Sequence, residues 1–320
     1  MRLFPAKTFN HLRSIDEIGA IAGLLSVCGL LVLLVGEKFA HSSNLLQVAR
    51  QASSYGIMSV GMVLLLSMGE IDLSVGAILT LVNVSSAIAL REGMPFPLVM
   101  VFGVCLGAVC GLSNGLLGIL LHIPTIIVTL GTMSVFRGVA LVISKATAVA
   151  NFSKDNLFFE LGSRSLLGIP TGVWVMLLVA TAGHILLKKT PFGWRVLAIG
   201  SNPLAARFSG IPIDRYRIAV MTLMGVAAAI AGLMELAFLQ AGSPTTGQGF
   251  ELYVIASVII GGTALTGGRG SIVGGVLGAL LIAVIRNGLV LLELSAYWGT
   301  VVTGAVIIAA VAIGNLIKKS

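Results

Sequence analysis

Ten apolar stretches of membrane-spanning length follow one another along this chain. They restrict what it can fold into more than any other feature. They lie near residues 19–36, 53–68, 74–90, 97–121, 123–144, 172–187, 217–239, 252–266, 271–292 and 298–316. A helix that crosses a bilayer needs about 20 mostly apolar residues. Charged residues make up only 10% of the chain, against about 25% in soluble domains. The sequence therefore predicts a single transmembrane domain over residues 1–320, all-α and polytopic, with about ten transmembrane helices.

Lysine and arginine are unevenly distributed between the segments that join these stretches. With the N-terminus in the cytoplasm, the cytoplasmic segments carry Arg2, Lys7, Arg13, Lys188, Lys189, Arg195, Arg207, Arg215, Arg217, Arg269, Lys318 and Lys319. The opposite segments carry Lys38, Arg50, Arg91, Lys145, Lys154 and Arg164. Cytoplasmic loops of membrane proteins are enriched in Lys and Arg. We therefore expect both termini, including residues 1–18, in the cytoplasm. The net charge of +8 reflects this topology and does not indicate binding to nucleic acid.

Residues 188–216 form the longest segment on the predicted cytoplasmic side. A simple connection between two helices would be shorter and less basic. Within the segment, Ala205-Ala206-Arg207 is good helix-forming sequence. The pattern predicts a docking surface for a soluble cytoplasmic partner. Arg207 would either pair with an acidic groove of that partner or stay solvated as a topology signal.

On the opposite side, residues 145–171 and 240–251 are long enough to have structure of their own. The second segment is rich in Gly, Pro and hydroxyl groups, which indicates a polar, turn-forming loop. Its side chains that could contact a polar solute are Ser243, Thr245, Thr246 and Gln248.

Two interruptions separate apolar stretches, at residues 68–76 and 261–271. Unwound backbone at membrane depth is tolerated only where it is buried in protein or lines a wet cavity. We expect re-entrant or broken segments here. Asp72 or Ser74 is predicted to cap the helix that begins beside them, and both are also candidates for a translocation path.

The interruptions belong to a candidate internal repeat. Residues 55–79 and 253–277 align without a gap and share Tyr55/Tyr253, Gly69/Gly267 and Gly76/Gly274, among others. Each copy would consist of a helix, a break and a second helix, and transporters often place their pathway at such matched breaks.

Glycines recur every four residues in two further stretches, at Gly103, Gly107 and Gly111 and at Gly270, Gly274 and Gly278. This spacing predicts close helix packing within one bundle, with a subunit interface as the alternative.

Three charged residues, Arg137, Glu235 and Arg286, fall inside predicted spans. Each is a candidate functional residue. The alternative is an interior ion pair or a side chain that extends to the interface. We favour that alternative for Arg286 and leave Glu235 open.

Signatures of enzymes and metal sites are weak. Gly111 to Gly115 matches the G-x-S-x-G pattern around Ser113, but that motif requires a strand–turn–helix context. The sequence contains no Walker A motif and no H-E-x-x-H. We therefore expect no enzymatic activity, and neither a metal nor a cofactor bound by this chain.

Four motifs together resemble those of the permease subunits of bacterial ABC importers for monosaccharides of the ribose, xylose and arabinose type. They are Ile71-Asp72-Leu73-Ser74-Val75-Gly76; Gly200-x-Asn202 through Ala205-Ala206-Arg207-x-Ser209-Gly210-Ile211; Pro244-Thr245-x-Gly247-x-Gly249-Phe250-Glu251-Leu252; and Gly261-Gly262-Thr263-x-Leu265-x-Gly267-Gly268-x-Gly270. They keep the family order, and the similarity runs from about residue 20 to the end. In one departure, Glu70 stands where the family usually has Gly.

The resemblance implies a fold similar to the vitamin B12-type, or type II, importer permeases in the bacterial inner membrane. It implies a second permease copy or a paralogue, and a periplasmic sugar-binding protein on the outside. It also implies a cytoplasmic ATPase that binds ATP and Mg²⁺ and docks on a coupling helix at residues 200–211. The ATPase-coupling residues would be Gly200, Asn202, Ala205, Ala206, Arg207, Ser209 and Gly210. The path or outer gate would include Asp72, Ser74, Ser243, Thr245, Thr246 and Gln248.

Other function classes stay open at this point. An ion-coupled secondary transporter of a small polar solute would use buried acids, for which Glu70, Asp72 and Glu235 are candidates. It would not need the long docking loop. A passive channel would conduct without ATP, and a hydrolase would be covalently labelled at Ser113.

Overall fold

The computed structural model describes residues 17–150, 152, 157–295, 297–305 and 308. Its helices are α1 (Ile18–Val35), α2 (Glu37–Ala40), α3 (Ser42–Met68), α4 (Val75–Arg91), α5 (Phe96–Leu120), α6 (Thr125–Ile143), α7 (Leu157–Ser163), α8 (Thr171–Lys189), α9 (Pro191–Ser201), α10 (Pro203–Phe208), α11 (Ile213–Leu239), α12 (Phe250–Ile260) and α13 (Ile272–Leu291). Residues 298–305 are also helical. Two short strands, β1 (Ser165–Leu166) and β2 (Ile169–Pro170), form an antiparallel hairpin.

Within the described residues, seven helices are long and apolar enough to cross a membrane: α1, α3, α5, α6, α8, α11 and α13. The apolar helices α4, with 17 residues, and α12, with 11 residues, are shorter. The prediction of an all-α polytopic membrane protein is confirmed, whereas the described residues do not establish ten spans. Residues 1–16 and most of the chain beyond 305, on which the predicted cytoplasmic termini fall, lie outside the described residues.

Helix α3 forms the centre of the bundle. Every residue from Ala52 to Met68 is buried, and α3 packs against α8, α11, α12 and α13. A helix that is covered on all sides is typical of a core element. The predicted span began only at residue 53, whereas α3 begins at Ser42, so its first turns were missed.

Helices α5 and α11 approach each other closely along the first glycine stripe. A Cβ atom at Gly107 would overlap the backbone of Gly225, and one at Gly111 would overlap the backbone of Met221. Small residues let neighbouring backbones come this close. The expectation that the stripe packs within one bundle is confirmed.

The two predicted interruptions are non-helical at residues 69–74 and 261–271. Gly69 and Gly267, which the repeat aligns, have φ angles of 83° and 82°, a region that favours glycine. Each copy therefore contains a helix, a break and a helix. The predicted span 252–266 is nevertheless wrong at its end, because α12 stops at Ile260, before the poor helix formers Gly261 and Gly262. Its 11 residues extend only about 16 Å.

Residues 240–249 enter the bundle beside α4, although the sequence predicted a loop at its surface. Gly242 lies against Ala87, and Gly247 lies against Gly76. Because Ala87 and Gly76 are three turns apart on α4, the segment descends about 16 Å along that helix. The other predicted outer segment, 145–171, contains α7 and the β-hairpin, and five of its residues, 151 and 153–156, lie outside the described residues.

Candidate translocation and docking sites

Asp72 and Ser74 are completely buried where α4 begins. The Asp72 carboxylate accepts the Ser74 backbone N–H at 2.7 Å and the Ser74 hydroxyl at 2.6 Å. Asn114 on α5 donates to the Ser74 hydroxyl at 2.8 Å and reaches the other Asp72 oxygen at 3.5 Å. The predicted capping of α4 is not found: the N-cap residue Ser74 forms no side-chain bond to the helix backbone, and Asp72 bonds to Ser74 in the turn directly before the helix.

These buried side chains hold the first break to α4 and α5. Because protein encloses them, Asp72 and Ser74 do not line an open path in this conformation. Sequence reasoning missed Asn114. Its only signal was an amide inside an apolar stretch, which is also ordinary for helix packing.

Glu70, the departure from the family pattern, forms an ion pair with Arg217 at 2.7 Å. The two side chains are 16% and 28% exposed, respectively. Arg217 was predicted as a topology charge, but here it joins the first break to the beginning of α11. Asp214 lies 3.9 Å from the same guanidinium group.

The predicted coupling helix over residues 200–211 is wrong in its extent, because Asn202 interrupts it. Asn202 is extended, with φ −155° and ψ 97°. The following Pro203 disfavours a helical conformation at the residue before it. The Asn202 side chain caps α10 by accepting the Ala205 N–H at 3.0 Å. Gly200 therefore belongs to α9, while Ser209 and Gly210 follow α10.

Helix α10 presents an apolar surface at the end of the bundle. Leu204 is 69% exposed and Phe208 is 90% exposed. Their spacing of four residues places them on one side of the helix, and Arg207 is exposed between them. Ala206 is buried. Ala205, Ala206 and Arg207 were among the residues predicted to couple to the ATPase, whereas the two large apolar side chains, Leu204 and Phe208, were missed.

Helix α9 contacts the end of α3 and the second break through Gly200. A Cβ atom at Gly200 would overlap the Ser67 carbonyl and would lie 2.6 Å from the Gly268 nitrogen. The Gly268 N–H itself donates to the Ser67 carbonyl at 2.9 Å. The end of α3, the second break and the end of α9 therefore meet at one point, directly before α10.

The polar loop at residues 240–249 has an open side. Thr245 and Gln248 are exposed, and Ser243 and Thr246 are half-buried. The Ser243 and Thr245 hydroxyls lie 2.9 Å apart, and the Thr80 hydroxyl donates to the Thr246 carbonyl. Irregular backbone at membrane depth does not face lipid. The exposed side of residues 240–249 must therefore be covered by another protein segment or face a water-filled cavity.

The described residues contain no hydrogen bond between this loop and the Asp72–Ser74 pair. The residues predicted for the path therefore form two separate groups.

Of the remaining candidates, Glu235, Arg286 and Ser113 have local partners, whereas one terminal nitrogen of Arg137 is buried without a hydrogen bond among the described residues. Glu235 accepts the Ser54 hydroxyl at 2.6 Å. Arg286 donates to the Tyr55 hydroxyl, and its guanidinium lies 4.4 Å from the centre of the Tyr253 ring. Within the described residues, no carboxylate lies within 4.0 Å of Arg286, so of the two alternatives favoured for it, an interior ion pair and a side chain that extends to the interface, the ion pair is not found. Ser113 donates to the Cys110 carbonyl inside the continuous helix α5, which is not the context of a nucleophilic serine.

Comparisons with known proteins agree with this architecture. The family described as the branched-chain amino acid transport system permease component matches residues 44–311. The D-allose transport system permease of Escherichia coli K12 is 38% identical over 98% of this chain and 96% of its own length. The ribose import permease of Bacillus subtilis is 38% identical over 95% of this chain and 94% of its own. The L-arabinose transport system permease of Escherichia coli K12 is 34% identical over 99% of this chain and 95% of its own length.

A probable ABC transporter permease of Escherichia coli K12 is 36% identical over 96% of this chain and 92% of its own length. No solved structure matches the chain. The family match covers well over half of the chain, and the identities of these relatives all exceed 30%. The chain therefore belongs to the family of ABC importer permeases that includes the allose, ribose and arabinose permeases.

Proposed function

We propose that this chain is the membrane-spanning permease subunit of an ATP-driven importer for a neutral monosaccharide. Relatives named for allose, ribose and arabinose match nearly the whole chain, which supports an aldose as the solute. Together with the seven long helices, α4, α12 with its break and the span predicted from the sequence at residues 298–316 would give ten crossings. We infer from this count a type II permease fold in the inner membrane of a bacterium.

The excess of basic residues around α9 and α10 supports a cytoplasmic position for this end of the bundle. The termini then lie on the same side, and the loops around α7 and residues 92–95 face the periplasm. A periplasmic sugar-binding protein would deliver the solute to that outer side.

The contact of α9 with the end of α3 and with the second break, directly beside the exposed helix α10, is the observation that carries the proposal. Leu204 and Phe208 offer an apolar surface that a cytoplasmic ATPase would cover. Gly200 fits between Ser67 and Gly268 without free space. Movement of α10 would therefore reach the ends of α3 and of the second break through backbone contacts.

In this mechanism the ATPase binds ATP and Mg²⁺, and the permease chain binds neither. Closure of the ATPase dimer displaces α10 and α9, and the displacement alters the packing of the breaks. The exposed polar side of residues 240–249 would face a second permease copy or a paralogue. The two chains together would then enclose a wet path that neither forms alone.

Affinity purification of the tagged permease from its native membranes tests the docking surface. The wild-type chain is expected to co-purify with an ATPase subunit, whereas the double variant Leu204→Ser, Phe208→Ser loses it because the apolar contact is removed. Arg207→Glu is expected to insert normally and to abolish sugar uptake. A matched control is Leu120→Ser, which changes an exposed leucine on α5. Retention of the ATPase by the double variant would contradict the assigned surface.

A further inference from the structure

An apolar groove of about 360 Å³ runs between α8 and α11, with α3 as its floor. We call it the α8–α11 groove. Every residue that lines it is apolar, and the larger ones are Val60, Leu64, Leu178, Leu186, Leu223 and Ile230. Leu178 at the rim is 70% exposed, whereas Val60 and Leu64 on the floor are buried. The groove therefore opens from the bundle to its surroundings.

The groove lies on the opposite side of α3 from the polar loop at residues 240–249. Leu64 follows Tyr55 by nine residues, or about two and a half helical turns, so the two side chains point to opposite sides of α3. Tyr55 meets the rings of Phe250 and Tyr253 on α12, the helix into which the loop leads. A second permease chain that covers the loop therefore leaves the groove facing lipid.

We propose that the α8–α11 groove binds an anionic glycerophospholipid, with an acyl chain in the groove and the phosphate at basic residues beside its cytoplasmic end. The inference goes beyond the proposed transport function and takes from it only the orientation of the bundle. An apolar cavity stays dry, and an empty one leaves its lining atoms without contacts. A hydrocarbon chain supplies those contacts.

Lys189 and Tyr216 extend the two walls of the groove toward the cytoplasm. Lys189 follows Leu186 by three residues on α8, and Tyr216 precedes Leu223 by seven residues on α11. Each therefore lies on the groove side of its helix. The helix rise places them about 4.5 Å and about 10 Å beyond the two leucines. A lipid whose chain occupies the groove thus has its headgroup at this level.

Basic and aromatic side chains cluster at this end of the groove. Arg195 on α9 donates to the Tyr216 hydroxyl at 2.7 Å, and the Trp194 indole N–H donates to the Lys188 carbonyl at 3.4 Å. Lys188, Lys189, Trp194 and Arg195 are all exposed. Within the described residues, neither the two lysines nor Arg195 forms an ion pair shorter than 4.0 Å. Their charges are available to an anion.

The cluster matches an anionic headgroup better than a zwitterionic one. Trp and Tyr rings are enriched at the level of lipid headgroups, and basic pockets between transmembrane helices on the cytoplasmic side bind anionic lipids. Arg195, oriented by Tyr216, can donate its remaining N–H groups to phosphate oxygens, and Lys189 adds a second positive charge. A zwitterionic headgroup carries a cation of its own, which these residues repel.

Native mass spectrometry of the purified chain, together with the subunits that co-purify, counts bound lipid in micelles with equal amounts of phosphatidylglycerol and phosphatidylcholine. The wild type is expected to retain phosphatidylglycerol preferentially. The double variant Lys189→Gln, Arg195→Gln should retain at least tenfold less, because each basic residue near an anionic lipid contributes about a fivefold gain in affinity. The matched control Arg91→Gln, Arg164→Gln removes the same charge from exposed side chains at the other end of the bundle. It should retain as much as the wild type.

A second variant tests the groove itself. Ala182→Phe is expected to displace the lipid, because Ala182 lines the groove and is exposed, so that the added ring fills the space of the acyl chain. Leu177→Phe, at an exposed position of α8 outside the groove, is its control. Lipid that is lost from the charge variant but retained by Ala182→Phe would show a surface interaction only and would overturn the site. Displacement of the lipid by soluble glycerol 3-phosphate would do the same, since it carries the phosphate without the chains.

Equal retention of the two lipids by the wild type would also overturn the inference. If the charge variant lost a co-purifying ATPase and kept its lipid, the cluster would belong to protein docking instead. The charge variants replace exposed side chains, so the result does not depend on a repacked core. Because the measurement requires neither sugar nor ATP, its failure would leave the proposed importer function intact.

Discussion

Asp72, Ser74 and Asn114 form a closed hydrogen-bonded group where the first break ends. The sequence predicted that Asp72 or Ser74 caps the helix that begins there, whereas Asp72 instead bonds to Ser74 in the turn before the helix. Sequence reasoning could not identify Asn114 or Arg217 as partners, since those contacts depend on how α5 and α11 pack. Buried polar groups are costly only when their partners are removed, which makes these residues informative to mutate.

Asp72→Ala is expected to destabilise the protein by about 1–3 kcal/mol, because it leaves the Ser74 N–H and hydroxyl without their acceptor. Asp72→Asn retains one acceptor oxygen and should lose less. Thermal unfolding of the purified protein in detergent measures both. Asp214→Asn, at a half-exposed carboxylate, serves as the control. Equal stability of Asp72→Ala and wild type would show that the buried group has no stabilising role.

The Glu70–Arg217 pair is expected to couple the first break to α11. In a double-mutant cycle with Glu70→Gln and Arg217→Gln, we predict an interaction free energy of about 1 kcal/mol or more, above the usual value for exposed pairs. The Arg91–Glu92 pair, at 3.6 Å and largely exposed, should give a value near zero. If the effects of Glu70→Gln and Arg217→Gln on stability were additive, the interaction free energy between the two side chains would be zero, and the predicted coupling would be wrong.

At the scale of elements, the long apolar helices were predictable because lipid requires about 20 apolar residues per crossing. The beginning of α3 was not predictable in this way, since Gln47, Arg50 and Gln51 make that stretch too polar to be recognised as part of a membrane span. The structure explains their polarity, because all three line a cavity of about 310 Å³ between α3, α11, α12 and α13. The same helix thus serves both the core and a polar cavity, which hydropathy alone cannot distinguish.

Two other elements depended on tertiary contacts. The loop at residues 240–249 has the composition of a surface turn, but its bonds to Thr80 and Asn83 hold it within the bundle. The interruption at Asn202 was visible in principle, because Pro203 disfavours helix at the residue before it. Helix α9 then packs through Gly200 while α10 stays exposed.

Gly200→Val is expected to disrupt transmission from α10 to the end of α3 and to the second break. The added side chain would overlap the Ser67 carbonyl and crowd the Gly268 nitrogen, which forces α9 away from both segments. We predict that the ATPase still binds through α10, while sugar-stimulated ATP hydrolysis falls at least severalfold. Gly29→Val, on a face of α1 with no atom within 4 Å of the added carbon, is the control. Wild-type stimulation in Gly200→Val would contradict transmission through this contact.

At the scale of the whole molecule, one chain leaves a polar surface of irregular backbone open at membrane depth. Thr245 and Gln248 are exposed there, next to the partly exposed Leu252. The account therefore requires a neighbouring permease that covers this side and completes the path. The resemblance to importer permeases implied a second permease, but the surface that it would cover depends on how residues 240–249 pack along α4.

Gln248→Cys, in a chain whose native cysteines are replaced by alanine, is expected to cross-link to a neighbouring permease chain upon oxidation. Non-reducing electrophoresis of native membranes would show a band at twice the monomer mass if the neighbour is identical. Val142→Cys, on the exposed apolar face of α6, should stay monomeric. Cross-linking of Val142→Cys alone would place the interface on the other side of the bundle.

Transport by purified components tests the central claim most directly. The permease is reconstituted into liposomes with its co-purifying ATPase, and uptake of radiolabelled D-ribose, D-allose and L-arabinose is measured with the cognate binding protein present. The account predicts uptake that requires the ATPase and hydrolysable ATP and that persists when an uncoupler collapses the ion gradients. Uptake by the permease alone, or uptake that stops with the uncoupler while ATP remains, would contradict it.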